Sequence, residues 1–491
     1  MKTRLLVLIL LAVVIGGSRA GLAQQARTAP PSGAGGQTQR FITVEGADLK
    51  SKLDAAVRQA RSRSPQTRFW VAYSFDVRPG VAVDLGEVNF NGSMQSFGGV
   101  TVFSGTSNGV TVETRNLGVF LLYEPGDKSI GRVEIYNLDR QREYSGYPVY
   151  WLGRGGNEES LNYLKSVADS AAAKRATENA TVAIGLHDDP RVGAMMKDTI
   201  RRSSNKDVRE AAIYWLGIIG GESAFLGDIV RNEQENTDVR EAAAAAIGRS
   251  REPAALATLQ GLYEAVSNRD VKEQILSSIS KNDNQRAAAD FLLKVAKGDP
   301  DRDLRETAVH RLGRIPGTSP ALVDIIRNEQ EQTDVREAAV LAMGKSQDAA
   351  AASTLQDLYA SVSNRSIKEQ IINSVSKGAD RDAAVAFLIR VAEGDPDREI
   401  RQEAIMRLGK TSSARGVEAL GRIANSADAD ADSQEEAVMA IGKSGHSEAV
   451  PMLIQIAKSH PRQEVREAAV RRLSKSGDER AKEFLRQVLS K

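Results

Sequence analysis

From about residue 200 to the C-terminus, apolar residues fall in short stripes of helical period. The stripes return every 31 to 33 residues. The clearest copy is Thr333–Lys345, T-D-V-R-E-A-A-V-L-A-M-G-K, which recurs from Asn236 and from Lys206 and more loosely from Asp303 and Glu399. With Val335 as position 1, positions 1, 5, 6 and 9 are apolar and share one face of a helix. Position 1 runs through Val208, Val239, Val271, Leu304, Val335, Ile367, Ile400, Ser433 and Val465. Each stretch predicts the second helix of a two-helix unit. The first helix shows as its own stripe, for example Leu256, Leu259, Leu262, Tyr263 and Val266. A period of this length predicts a mainly α chain, a right-handed α-solenoid of stacked helix pairs.

Each column has a predicted role. An acid at position 0 (Asp207, Asp238, Asp303, Asp334) caps amides and complements the helix dipole. Glycine at position 10 stops the helix in a left-handed cap. That column extends back to Gly185 and Gly153, giving about eleven repeats that begin at Tyr147. Position 2 is basic, as in Arg240, Arg305 and Arg336, and lies at the edge of the stripe. Its expected partners are the position 0 acids of the same or adjacent repeats, in a ladder along the stack.

The order acid, aliphatic, base, then A-A and L-G, resembles the HEAT-repeat family in its short, phycobilisome-lyase-type form, over about residues 145–491. The resemblance implies the fold and is nearly silent on function. A longer repeat overlies the short one. Residues 228–315 and 324–411 match at a constant offset of 96 residues, a duplicated three-repeat block.

The N-terminal part differs in kind. Met1–Ala23 has a charged start (Lys2, Arg4), an apolar core Leu5–Ile15 and small residues around Ala20 and Ala23. It reads as a secretory signal peptide, the apolar run being shorter than the ~20 residues a membrane helix needs. Residues 24–40, rich in Gly, Pro, Ser and Gln, read as a flexible linker. Residues 41–140 predict a small α+β domain with an antiparallel sheet. A helix at Ala47–Ser62 is followed by strands near Phe69–Val77, Val81–Phe90, Val100–Ser104, Val110–Glu113, Val119–Tyr123 and Arg132–Asn137. Residues 141–491 form the solenoid, and Glu479–Leu489 its closing helix.

Composition narrows the chemistry. The net charge is +2, and −1 once Lys2, Arg4 and Arg19 are removed, which argues against nucleic acid as a partner. Cysteine is absent, so no disulfide, thiolate metal site or lipid-anchoring Cys exists. The expected location is therefore periplasmic or secreted, with no membrane insertion after signal cleavage. No phosphate loop, nucleophile elbow or metal-ligand cluster appears. HEAT-like enzymes resembling deoxyhypusine hydroxylase hold iron with His-Glu pairs. Here His187, His310, His446 and His460 are followed by Asp188, Arg311, Ser447 and Pro461. No catalytic, cofactor-binding or metal-binding residue is expected.

On the second helices, positions 3 and 7 point away from the apolar stripe and are expected to line the concave surface. Position 3 is an acidic column that includes Glu241 and Glu337. Position 7 varies, with Tyr214, His310, Leu341, Met406 and Met439 as contact candidates. The expectation is a non-catalytic scaffold binding a protein or peptide along this surface. Two alternatives stand beside it. One is an enzyme with a site where the sheet domain meets the repeats, with His187 as a candidate. The other is a ligand or glycan sensor in residues 41–140.

Overall fold

The computed structural model describes residues 41–85, 91–126, 129–170, 173–250 and 252–489. The expected signal peptide and linker lie outside them. The described chain divides into two compact units after Ile219.

The first unit is built on strands β1 (Phe41–Thr43), β2 (Phe69–Ser74), β3 (Ala82–Val83), β4 (Asn91–Phe97), β5 (Val100–Ser107), β6 (Val110–Thr111), β7 (Leu117–Tyr123), β8 (Ile130–Asn137) and β9 (Val149–Arg154). Strands β3, β4, β5 and β6 make a small antiparallel sheet. A five-stranded sheet has the order β1-β9-β2-β7-β8. Its β2, β7 and β8 are antiparallel, while β9 inserts parallel to both β1 and β2. Helix α1 (Leu49–Arg63) buries Leu49, Leu53, Ala56 and Ala60. One sheet face holds Trp70, Ala72, Phe120, Leu122 and Trp151 in a single core cluster.

Strand β9 corrects the expected start of the solenoid. Val149 and Trp151 join that cluster, while Tyr150 turns to the other face and meets Phe69 edge-on at 5.8 Å. Both faces are covered, so the run is continuously apolar and its period cannot separate strand from helix. Gly153, expected at position 10 as the stop of the first repeat's second helix, has φ +76° and lies within the strand, one residue before its end.

Helix pairs follow: α2 (Asn157–Ala168) with α3 (Lys174–Leu186), and α4 (Arg191–Arg202) with α5 (Lys206–Ile219). Helix α3 packs on β8 and on α5.

The second unit holds eight further pairs and a closing helix. Its first helices are α6 (Ser223–Arg231), α8 (Ala255–Ala265), α10 (Gln285–Gly298), α12 (Ser319–Arg327), α14 (Ala351–Tyr359), α16 (Arg381–Gly394), α18 (Ala414–Asn425) and α20 (Ala449–Ser459). The second helices are α7 (Thr237–Arg249), α9 (Arg269–Ile279), α11 (Arg302–Leu312), α13 (Thr333–Gly344), α15 (Arg365–Ser376), α17 (Arg398–Leu408), α19 (Ala431–Lys443) and α21 (Gln463–Ser474). Helix α22 (Glu479–Leu489) closes the stack against α20 and α21. Each second helix packs on the next. Val239, Val335 and Ile400 are fully buried between the layers, the arrangement of an α-solenoid.

Three columns work differently from expectation. The amides at the helix starts are capped from position −2, by Asn236, Asn268, Asp301, Asn364, Asp397 and Asp430. The position 0 acids sit inside the first turn instead.

Glycine at position 10 is not left-handed: Gly313 and Gly409 have φ −63° and −60°. It is there for close approach. A Cβ on Gly313 would lie 2.7 Å from Ala342 Cβ, and one on Gly344 would lie 2.8 Å from Ser374 Cβ. In both pairs the neighbour is position 8 of the next repeat.

The position 2 bases bind backbone rather than the position 0 acids. Arg240 and Arg336 donate Nε to Val230 O and Ile326 O, each at 2.8 Å. Arg305 and Arg401 donate Nη1 to Asp299 O and Asp395 O, each at 2.9 Å. Those carbonyls end the preceding first helix, where a cation also suits the dipole. A charge ladder does exist, but position −1 carries it. Arg269 bonds Asp303, Arg302 bonds Asp334, Arg365 bonds Glu399 and Arg398 bonds Asp432 of the following repeat.

Candidate functional site: the exposed face of the second helices

The predicted contact residues do not share one environment. Tyr214 is 2% exposed and packs its ring on Phe97 at 5.2 Å. It joins the β4–β5 hairpin to α5 and is removed from the contact face. His187 is removed as a catalytic candidate. It is fully buried, stacked on Phe75 at 4.1 Å, with Nδ1 2.7 Å from Ala183 O and Nε2 2.8 Å from Ser160 Oγ. Burial, the largest cause, lowers its pKa to about 4, so the ring is neutral. Among the described residues, no group of three His, Cys, Asp or Glu is arranged to hold a metal.

In the second unit, position 7 stays at the surface except at Ser277, which is buried. Leu341, Met406 and Met439 are half-buried and His310 is exposed. Position 3 forms a row of neighbouring carboxylates. Glu337 is half-buried, and burial first, then Asp334, Glu369 and Glu306, raise its pKa. Glu241 occupies the same column on α7 and is half-buried.

A second charged row went unread in the sequence. Position 11, just after the glycine, is basic in all eight repeats of this unit, from Arg249 to Lys475. Eight helical residues separate positions 3 and 11, roughly 12 Å along each helix. The surface therefore carries an acidic row, a variable and partly apolar row, and a basic row, side by side.

The structure brings two of the predicted residues, His310 and Leu341, into one pocket of about 940 Å³. It opens between the C-terminal halves of α11 and α13 and is also lined by Thr307, Arg311, Arg314 and Lys345. Among the described residues, no carboxylate pairs with these three cations within 4 Å, and they depress the proton affinity of the groups around them. The His310 pKa is lowered by packing, then by Lys345, Arg311 and Arg314. That of Arg311 is lowered by burial and then by Arg314, with Glu273 on α9 opposing them. Met406, Met439, Glu241 and Glu337 do not line this pocket.

A family model for HEAT repeats matches residues 194–280, 223–313, 289–376 and 424–491, together half of the chain. No curated protein matches the sequence. Among solved structures, human deoxyhypusine hydroxylase in complex with glycerol is similar at 15% identity and a TM-score of 0.25, over 65% of this chain and 96% of that one. The complex of CpcE and CpcF of phycocyanin lyase from Nostoc sp. is similar at 17% identity and a TM-score of 0.23, over 53% of this chain and 92% of that one. Importin beta is similar at 13% identity and a TM-score of 0.34, over 64% of this chain; the chain spans 50% of importin beta's length.

Proposed function

The chain belongs to the HEAT-repeat family, and on that footing we propose that it is an exported, non-catalytic scaffold that holds a protein or peptide along the second-helix surface of its second unit. HEAT-repeat solenoids commonly bind proteins. The observation that carries the reading is the half-exposed row Leu341, Met406 and Met439, set between rows of opposite charge. Thioethers and leucine on a regular frame adapt to apolar side chains of a partner, and the flanking charges orient it. Export rests on the apolar run Leu5–Ile15 and its charged start. Mass spectrometry of the protein from the cell envelope tests it, a chain beginning after Ala20 or Ala23 being the expected result.

The binding face is tested by changing Leu341, Met406 and Met439 together to Glu and crosslinking the protein in its native envelope. Loss of the crosslinked partner with unchanged helical circular dichroism is expected. An unaltered set of crosslinks rejects this face.

A second reading, a ligand or glycan sensor in the first unit, is favoured by a cavity of about 630 Å³ between α1 and α2. Leu53, Val57, Tyr123 and Tyr163 line it, and the two tyrosine hydroxyls meet at 2.9 Å. A thermal-shift screen of the full chain with mono- and oligosaccharides addresses it.

A further inference from the structure

The duplicated blocks give an internal control for the pocket between α11 and α13. Ninety-six residues after Arg311 stands Arg407. Arg407 is neutralised one turn back on its own helix, by Glu403 at 2.6 Å. The residue one turn back from Arg311 is Thr307, which carries no charge. The same offset pairs His310 with Met406 and Arg314 with Lys410. A cation at position 11 complements the carboxyl end of its helix, which accounts for Arg314 and Lys345 as members of a column. It does not account for Arg311, a turn earlier, which has no direct ion pair among the described residues and feels only the field of Glu273 on α9. The one acid lining the pocket, Asp348, is already bonded by Ser319 Oγ at 2.6 Å and Ala350 N at 3.0 Å.

Resting on the scaffold reading, we infer that this pocket is an anion site that receives a carboxylate of the docked peptide, held by Arg311, Arg314 and Lys345 beside His310 and Leu341. Charge complementarity selects an acidic peptide. The glutamate row roughly 12 Å away repels a nucleic-acid backbone, while a peptide can turn its acids toward one row only. Packed helices lie ~8–10 Å apart and an extended chain advances ~3.3 Å per residue. An acid at about every third peptide residue therefore meets successive position 11 cations. The pocket is the place where the grip is strongest.

The probe is a fluorescein-labelled twelve-residue peptide of Asp-Gly-Ser repeats, followed by fluorescence anisotropy with the full chain in ~0.15 M salt. Binding is expected, and the version with Asn for each Asp is expected to fail. Thr307→Glu supplies the counter-charge that the protein already tolerates one block later. It and Arg311→Gln are each expected to weaken binding roughly tenfold or more, while Arg407→Gln leaves it unchanged. If circular dichroism shows Thr307→Glu melting early, Arg311→Gln alone is read.

No binding by the unaltered chain overturns the inference. So does equal binding by Arg311→Gln. A single-stranded oligonucleotide of equal charge that binds as tightly and is equally sensitive to Arg311→Gln also overturns it. Envelope crosslinking separates the two readings. Crosslinks kept by Thr307→Glu and Arg311→Gln but lost in the triple position 7 variant sink the anion pocket and leave the scaffold. Crosslinks kept in all three sink both.

Discussion

Tyr263 donates its hydroxyl hydrogen to Asp299 Oδ2 at 2.8 Å and so ties α8 to the end of α10. Ninety-six residues on, Tyr359 does the same to Asp395 at 2.6 Å. The surroundings recur as well. Phe291 and Phe387 meet the tyrosine rings edge-on at 5.6 and 5.2 Å, and Lys272 and Lys368 stand over them at 4.7 and 4.9 Å. One difference is informative: Lys368 Nζ also reaches Asp395 at 3.0 Å, while Lys272 makes no ion pair with Asp299. Tyr263→Phe removes the side-chain donor to Asp299 Oδ2 and should cost roughly 1.5–3 kcal/mol. Tyr359→Phe should cost less, because Asp395 keeps Lys368. Urea unfolding followed by circular dichroism measures both. Equal losses would mean that the lysine adds nothing.

The glycines at position 10 lead to a second prediction. Gly313→Ala pushes a methyl group at the C-cap of α11 against Ala342 within α13, where helix backbone cannot yield cheaply. Overpacking of this kind costs about 1–3 kcal/mol. The companion change Gly298→Ala meets nothing within 4 Å and should be neutral or mildly stabilising. A similar melting temperature for the two variants would show that the helices can spread apart.

These residues show what the sequence discloses. The solenoid was legible because its pattern repeats many times, so no single ambiguous stretch decides it. Strand β9 was not, since the four-residue apolar run Val149–Leu152, buried on both faces, has no telling period. Strand β4 was not, since Asn91–Phe97 is polar and mostly exposed and so shows no apolar alternation, although it pairs with β5 in a local hairpin. Columns were visible while their partners were not. A base at position 2 looks the same whether it meets a carboxylate or the end of a helix. The contrast of Thr307 with Glu403 could be read by aligning the two blocks, but only the fold shows that Glu403 neutralises Arg407.

His187 gives a pH dependence. Its folded pKa, about 4, lies below its ordinary 6.5, so at acid pH the unfolded chain takes up a proton that the folded chain refuses. The stability it supports is intact above pH 6.5 and is lost as pH falls through 4, by roughly 3 kcal/mol in total. Denaturant unfolding between pH 7 and 4 should show that slope, and His187→Phe should flatten it. An unchanged slope in the variant would assign the effect to other groups.

The two arginines Arg302 and Arg305, one turn apart on α11, should behave oppositely. Arg302 is about half exposed and pairs with Asp303, Glu306 and Asp334 at the surface. Solvent and salt screen such a network, so Arg302→Ala should cost little, and less as salt rises. The Arg305 side chain is 11% exposed and holds Glu331, itself 10% exposed, at 3.1 Å, as well as the carbonyl of Asp299 at 2.9 Å. Arg305→Ala leaves a nearly buried carboxylate without its counter-charge and a helix end without its side-chain donor, a loss of roughly 3–5 kcal/mol. That loss should be nearly insensitive to salt, because the groups are hidden from it. Unfolding in low and high salt distinguishes the two, and a salt-dependent loss at Arg305 would place its guanidinium in water rather than between the helices.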